Sequence, residues 1–405
     1  MVILLEPPAP LPLLQESRGG EPFSPQRISS PRRVFDRGGE SLNPMDLDHI
    51  ASQIKHNCNI SDAGYWGYYS PCGLLLRVRD LFKSEQGIKP WENVRSVEIG
   101  DWIEKRESLW EELSDHDFMK VEISGKRYRP FDLKGINSVL LHEGLLYGAG
   151  YGNLLKPTFF LAEISRKEKR GAYNIYVTVR EIVRDLSTAP SMLQGNTIII
   201  RHEIMKLLLW EKFEEMKSIK HESNLSRAFS EYGISKKSAV SLSSEEIDSA
   251  ITDIAGKELP SYIHHEIGEA SQRRLLGKWW KELILKLPYS RAEMFVRGLK
   301  DILSDTCNSG MLTHIIKNKK AGSLAFHIAL LGGFRKLFFP EIITAYGEFR
   351  RSGDWAVIEE ARVDGYKKTR VITDALKNMV MEGRVSPERI EEELIAKMSD
   401  CSASN

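Results

Sequence analysis

The chain has 405 residues, 57 Lys and Arg against 56 Asp and Glu, and 41% hydrophobic residues, enough apolar material for two or three cores. A formal charge of +1 removes the uniform basic field used by non-specific nucleic-acid binders, and no run approaches the roughly 18 consecutive apolar residues of a membrane span. Nucleic acid and membrane are therefore not the expected partners. Cys58, Cys72, Cys307 and Cys401 are the only cysteines, with no C-x-x-C pair, so neither a disulfide scaffold nor a zinc ribbon is supported and a reducing cytoplasm is the expected location.

Eight of the 17 prolines fall between Pro7 and Pro44, and apolar periodicity ends after Leu14. Residues 1–44 are expected to be a disordered leader, because they cannot bury enough apolar surface to offset their ordering entropy. Glu6 and the breaks at Pro7, Pro8, Pro10 and Pro12 argue against a signal peptide. Met45 as the true initiator is an alternative.

Residues 45–201 are expected to form an α+β domain. The clearest helix starts at Ser70 and Pro71, a cap followed by proline at the first helical position, and continues through Leu74, Leu75, Val78, Leu81 and Phe82. A second helix is expected over Trp102–Leu113. Met119–Ile123 and Arg127–Phe131 flank Ser124-Gly125-Lys126 as a hairpin, and Thr158–Ile164 and Tyr173–Val179 alternate around the charged turn Arg166–Gly171. Ile136–Leu146 reads as helix, Gly148-Ala149-Gly150-Tyr151-Gly152 as a tight turn, and Ile198–Ile200 as a fifth strand. Residues 202–405 are expected to be all-α, with stripes at Met205, Leu208, Leu209, Phe213 and at Ile263, Ile267, Ala270. Ser323–Phe334 reads as one central buried helix and Pro387–Met398 as a charged terminal one. The expected fold class is mostly α, with a small antiparallel sheet in the N-terminal half and a helical C-terminal half.

The run Asn59-Ile60-Ser61-Asp62-Ala63-Gly64-Tyr65-Trp66-Gly67-Tyr68-Tyr69-Ser70-Pro71-Cys72, with Glu85-Gln86-Gly87-Ile88, resembles the opening of an uncharacterised bacterial family of unknown function. Gly148–Gly152 with Lys156-Pro157-Thr158-Phe159-Phe160 is similar to its middle part. The resemblance implies a bacterial cytoplasmic origin and a start near Met45, and it carries over no chemistry.

Four of the ten histidines precede glutamate, at His142, His202, His221 and His265, which invites a divalent metal such as zinc, iron or manganese. The densest group is His264, His265, Glu266 and Glu269. Placing the apolar centre at Ile263 turns His265 and Glu269 towards solvent and pairs a buried Glu266 with Arg273, and neither H-E-x-x-H nor E-x-x-H occurs. A solvated His–Glu face is thus the competing expectation. Cys72, in the first turn after Ser70, is a candidate nucleophile whose alternative is a buried thiol under the tyrosines. His202 is a candidate base at the edge of an apolar stripe. Gly148, Gly150 and Gly152 with Lys156 are candidates for anion or ligand binding, although no strand–turn–helix dinucleotide pattern surrounds them. Two functions follow. The first is a non-catalytic interaction or assembly protein, with a protein partner or a second copy; the alternative is a small-molecule enzyme, metal-dependent or not, with its site at the seam between sheet and helices.

Overall fold

The computed structural model describes residues 45–396; the expected leader, residues 1–44, and the last residues of the expected terminal helix lie outside them. The chain opens with α1 (Leu47–Ala63), α2 (Pro71–Glu85) and α3 (Ser96–Leu113). Ser70 caps α2 as its sequence predicts, its Oγ accepting from the Gly73 amide at 3.2 Å; such a cap contributes about 1 kcal/mol. The strands β1 (Val121–Ile123) and β2 (Lys126–Tyr128) form a hairpin whose turn residues Ser124 and Gly125 both have positive φ, the geometry that matches strand twist.

After α4 (Leu133–Leu140) comes a five-stranded sheet of β3 (Leu145–Tyr151), β4 (Pro157–Arg170), β5 (Tyr173–Arg184), β6 (Ser191–Gln194) and β7 (Thr197–Arg201), in the order β3-β4-β5-β7-β6. All its pairs are antiparallel except β5 with β7. The glycine run does not form the expected turn. Gly148 and Gly150 lie in β3 opposite Phe160 and Thr158, and a side chain at Gly148 would collide with the Phe160 ring; the glycine gives the ring its place. Leu145 and Leu146, read as a helix end, also belong to β3, and the expected turn Arg166–Gly171 shrinks to Gly171 and Ala172 at the end of two long strands. The sheet curls until its edge strands meet, where Gln194 Nε2 donates to the Ala149 carbonyl at 2.9 Å.

The rest is helical: α5 (His202–Ser218), α6 (Asn224–Ser230), α7 (Lys236–Ala239), α8 (Ser244–Ser271), α9 (Arg273–Leu285), α10 (Arg291–Thr306), α11 (Met311–Lys317), α12 (Ala321–Ala329), α13 (Gly333–Phe338), α14 (Glu341–Ser352), α15 (Trp355–Met381) and α16 (Pro387–Ile390). The expected single helix over Ser323–Phe334 divides into α12 and α13 because Gly332 is extended and Gly333 takes a positive φ. One sheet face carries Tyr147, Phe159 and Leu161 against Ile50, Ile54 and Cys58 of α1. Ile175, Val177, Ile198 and Ile200 join Met205, Leu209, Phe213, Ile251 and Ile254 of α5 and α8 in the largest core. The fold is therefore α+β, and among the described residues no helix is long and apolar enough to cross a membrane.

Candidate functional site

Where α1 ends, the chain turns through Tyr65, a 3₁₀ turn (Trp66–Tyr68) and Tyr69 before α2 begins. This segment faces the loops 152–156 and 186–189 across a cavity of about 360 Å³, lined by Tyr65, Tyr68, Tyr69, Arg77, Lys156 and Leu186–Ala189 among others. The helical half reaches the same wall: Tyr289 stacks on Tyr68 with centroids 5.1 Å apart, and its hydroxyl lies 2.9 Å from that of Tyr65. Three of the five non-glycine residues with positive φ among those described, Leu154, Leu155 and Tyr289, meet here. Such backbone costs about 1–3 kcal/mol per residue, and it gathers at sites where the surroundings dictate a geometry.

The floor is charged. Lys156 is buried, with Nζ 2.9 Å from Asp62 Oδ1, 3.4 Å from Asp185 Oδ2 and 2.9 Å from Ser61 Oγ. The backbone fixes both carboxylates: the Leu186 amide donates to Asp62 Oδ1 at 3.1 Å, while the Phe159 and Ser187 amides donate to Asp185 at 2.9 and 2.7 Å. The ammonium thus sits between two buried carboxylates and offsets charge that would otherwise be buried unpaired. Burial opposes its charge, yet Asp185 and Asp62 outweigh that and raise its pKa. Burial also pushes the Asp62 carboxyl up to about 6, against the pull of Lys156. Its Oδ2 is buried and has no hydrogen-bond partner among the described residues, a state that costs free energy unless something else binds it. Burial raises the Tyr69 hydroxyl as well.

Of the residues singled out in the sequence, Lys156 and Gly152 line this cavity, and the Gly152 amide donates to the Lys156 carbonyl at 2.8 Å. Gly148 and Gly150 are in the sheet. Cys72 is exposed in the first turn of α2, not packed under the tyrosines. His202 is half-buried at the first position of α5, where burial and Lys206 lower its pKa, and it does not line the cavity. Asp62 and Asp185 were missed: Asp62 lies in the 59–72 run, which carries over no chemistry, and Asp185 lies in no motif.

The His–Glu group is brought to the α8/α10 seam, and the expected solvated face is overturned. Glu269 is buried and paired with Lys300 at 2.5 Å. His265 Nδ1 lies 2.7 Å from Asp305 Oδ1, and His327 Nδ1 lies 4.0 Å from Asp305 Oδ2. Burial opposes a charged His265, but Asp305 overcomes it and lifts its pKa to about 10. Glu266 does not meet Arg273; it accepts from Ser191 Oγ at 2.6 Å, and burial, then Glu269, push it up to about 7. Arg273 reaches Asn196 instead, at 3.0 Å. His264 points elsewhere and stacks on His314 with centroids 4.2 Å apart. His264 thus stands apart from the other three, each of which has its own polar partner, and among the described residues no group of three or more His, Cys, Asp or Glu is placed to hold a metal ion.

Two family models match, described as the N-terminal domain (residues 49–201) and the C-terminal domain (residues 206–398) of a family of unknown function, DUF6866. The chain belongs to the DUF6866 family. No curated protein and no solved structure matches it, so the chemistry of this family member rests on its own residues.

Proposed function

We propose that this DUF6866 protein is a cytoplasmic small-molecule-binding protein whose site is the tyrosine-walled cavity over Lys156, with Asp62 exchanging a proton with the ligand. The observation that carries the reading is the unpartnered Asp62 Oδ2, held buried beside Lys156 under a cavity large enough for a metabolite-sized molecule. An acid titrating near neutrality can both donate and accept a proton, the property a general acid or base needs. The tyrosine rings offer stacking surface, and Arg77, braced by Glu211 at 2.5 Å, offers a cation at the wall. The three described cysteines are free, in keeping with a reducing compartment.

A thermal-shift screen of the purified chain against a metabolite set tests the reading. A bound compound raises the melting temperature of the native chain, and Asp62→Asn and Tyr68→Ala each remove that rise. A shift that survives both substitutions, or no shift with any compound, would sink it. A second reading, a non-catalytic assembly protein that self-associates through α2, is favoured by Leu75 and Leu76, which are 56% and 47% exposed. Sedimentation across concentration tests it: Leu75→Glu abolishes any dimer, and a chain that is monomeric throughout rules it out.

A further inference from the structure

The charged side chains that line the tyrosine-walled cavity, Lys156 and Arg77, are both already paired. Asp62 and Asp185 hold Lys156, and Arg77 Nη1 and Nη2 lie 2.5 and 3.4 Å from the two carboxylate oxygens of Glu211. Arg77 keeps N–H groups to donate but no uncompensated charge. An anionic ligand would enter beside three carboxylates that already answer the two cations. A cationic ligand would meet the Lys156 ammonium and the Arg77 guanidinium at the wall. Either charge would be withdrawn from water without a partner of its own, which is costly. The pairing therefore selects a ligand without net charge.

The neutral groups, by contrast, are free. Tyr68, Tyr69, Ser187 and Thr188 line the cavity, and their hydroxyls bond to no other described residue; nor does the side-chain amide of Asn153, which lines it too. Tyr69, Ser187 and Thr188 are half-buried, and none of their oxygens is enclosed. The rings form no slot for a flat base. Tyr68 and Tyr289 are parallel within 8° but only 5.1 Å apart, less than the roughly 7 Å that an inserted ring needs for carbon contacts of about 3.5 Å on both faces. Tyr65 is tilted 43° from Tyr68. What remains is a single aromatic wall beside several hydroxyls. The unpartnered Asp62 Oδ2 makes a matching demand. A ligand hydroxyl both donates and accepts, so it satisfies this carboxyl in either protonation state, whereas a ligand ammonium or carboxylate satisfies only one of the two.

Resting on the reading of this cavity as the binding site, we propose that its ligand is a neutral sugar. A mono- or disaccharide lays its C–H face on the Tyr65–Tyr68 wall and bonds through its hydroxyls to Tyr69, Ser187, Thr188 and Asn153. Calorimetry of the full chain with methyl glucoside, methyl galactoside, methyl mannoside, maltose and lactose tests this, with glucose 6-phosphate, glucuronate, glucosamine and adenosine as comparison arms. At least one neutral sugar is expected to bind saturably, and every comparison compound at least tenfold more weakly. Tyr69→Phe and Thr188→Val each remove one hydroxyl while keeping the shape of the side chain, and each should weaken sugar binding about threefold to tenfold. If a charged compound or adenosine binds best, and Asp62→Asn and Tyr68→Ala abolish that binding, the cavity stands as the site and the sugar is overturned. Sugar binding that neither hydroxyl deletion weakens overturns it as well. So does failure of all five neutral sugars; the cavity reading falls with it only when the wider metabolite screen is also silent.

Discussion

Gly268 and Gly256 lie on the same helix, α8, and respond oppositely to the same substitution. A side chain at Gly268 would collide with the Ser304 carbonyl of α10, backbone that cannot rotate away, whereas Gly256 is exposed and has nothing within 4 Å of an added Cβ. Gly268→Ala is expected to destabilise by about 1–3 kcal/mol through overpacking, and Gly256→Ala to stabilise by about 0.5–1 kcal/mol by reducing the freedom of the unfolded helix. Urea unfolding of the two variants checks both signs. Lys156→Met leaves Asp62 and Asp185 buried without their cation and should cost about 3–5 kcal/mol; adding Asp62→Asn, which removes one of the stranded charges, should recover part of that. Equal stability of Lys156→Met and the native chain would show the floor to be solvated. Lys156 was legible as a candidate because it follows a glycine run, while Asp62 and Asp185 were not: their role comes from amides at Leu186, Phe159 and Ser187, which no local pattern announces. The helical wheel centred on Ile263 misplaced His265 and Glu269 because α8 is packed on several sides, by the sheet, α10 and α11, and such a helix has no single solvent face to assign.

At the scale of elements, α8, α10 and α12 share one carboxylate, Asp305, between two histidines with opposite leanings. His265 has its pKa raised from 6.5 to about 10, so its contribution is fully present below 6.5 and is lost as pH climbs towards 10. His327 is lowered, by burial first, despite Asp305; it is folded more readily when neutral, and its contribution is lost as pH falls below 6.5. Glu266, raised from 4.5 to about 7, adds to the loss on the rising side between those values. Stability is therefore expected to peak on the acid side of neutrality and to decline into the alkaline range, as read from urea midpoints between pH 5 and 9. Asp305→Asn should flatten the alkaline decline, and an unchanged slope in that variant would show that another group titrates there. The same elements show what periodicity can and cannot reveal. The starts of α2 and of the β1–β2 hairpin were legible because caps and turns are local chemistry. The strand β3 was hidden by its glycines, of which Gly148 admits the Phe160 ring, and β6 by its length of four residues, too few for an alternation to register.

Taken whole, the chain carries two family-model domains that meet between Arg201 and Lys206, yet its largest core ignores that boundary. Ile198 and Ile200 of β7 are buried with Met205 and Leu209 of α5, which begins at the residue after the strand. Ion pairs and hydrogen bonds cross in the same direction: Arg77 to Glu211, Ser191 to Glu266, Arg273 to Asn196 and Tyr65 to Tyr289. Cutting after Arg201 would expose one whole face of the sheet, Ile175, Val177, Ile198 and Ile200 together, a contiguous apolar patch that an isolated domain cannot leave in water. It would also remove Tyr289, which packs against Tyr65 and Tyr68 of the cavity wall. Size alone would allow independent unfolding, since chains of this length commonly break into separate cooperative units; the shared core argues that here the two halves unfold together. Urea unfolding followed by far-ultraviolet circular dichroism and by tryptophan fluorescence should therefore give coincident single transitions, because tryptophans stand on both sides of the boundary, Trp110 in α3 and Trp280 in α9. The fragment 45–201 made alone should aggregate or lack amide protection. Two separated transitions, or a fragment with native-like protection, would show that the halves are autonomous and that the cavity's tyrosine wall is assembled by docking after each has folded.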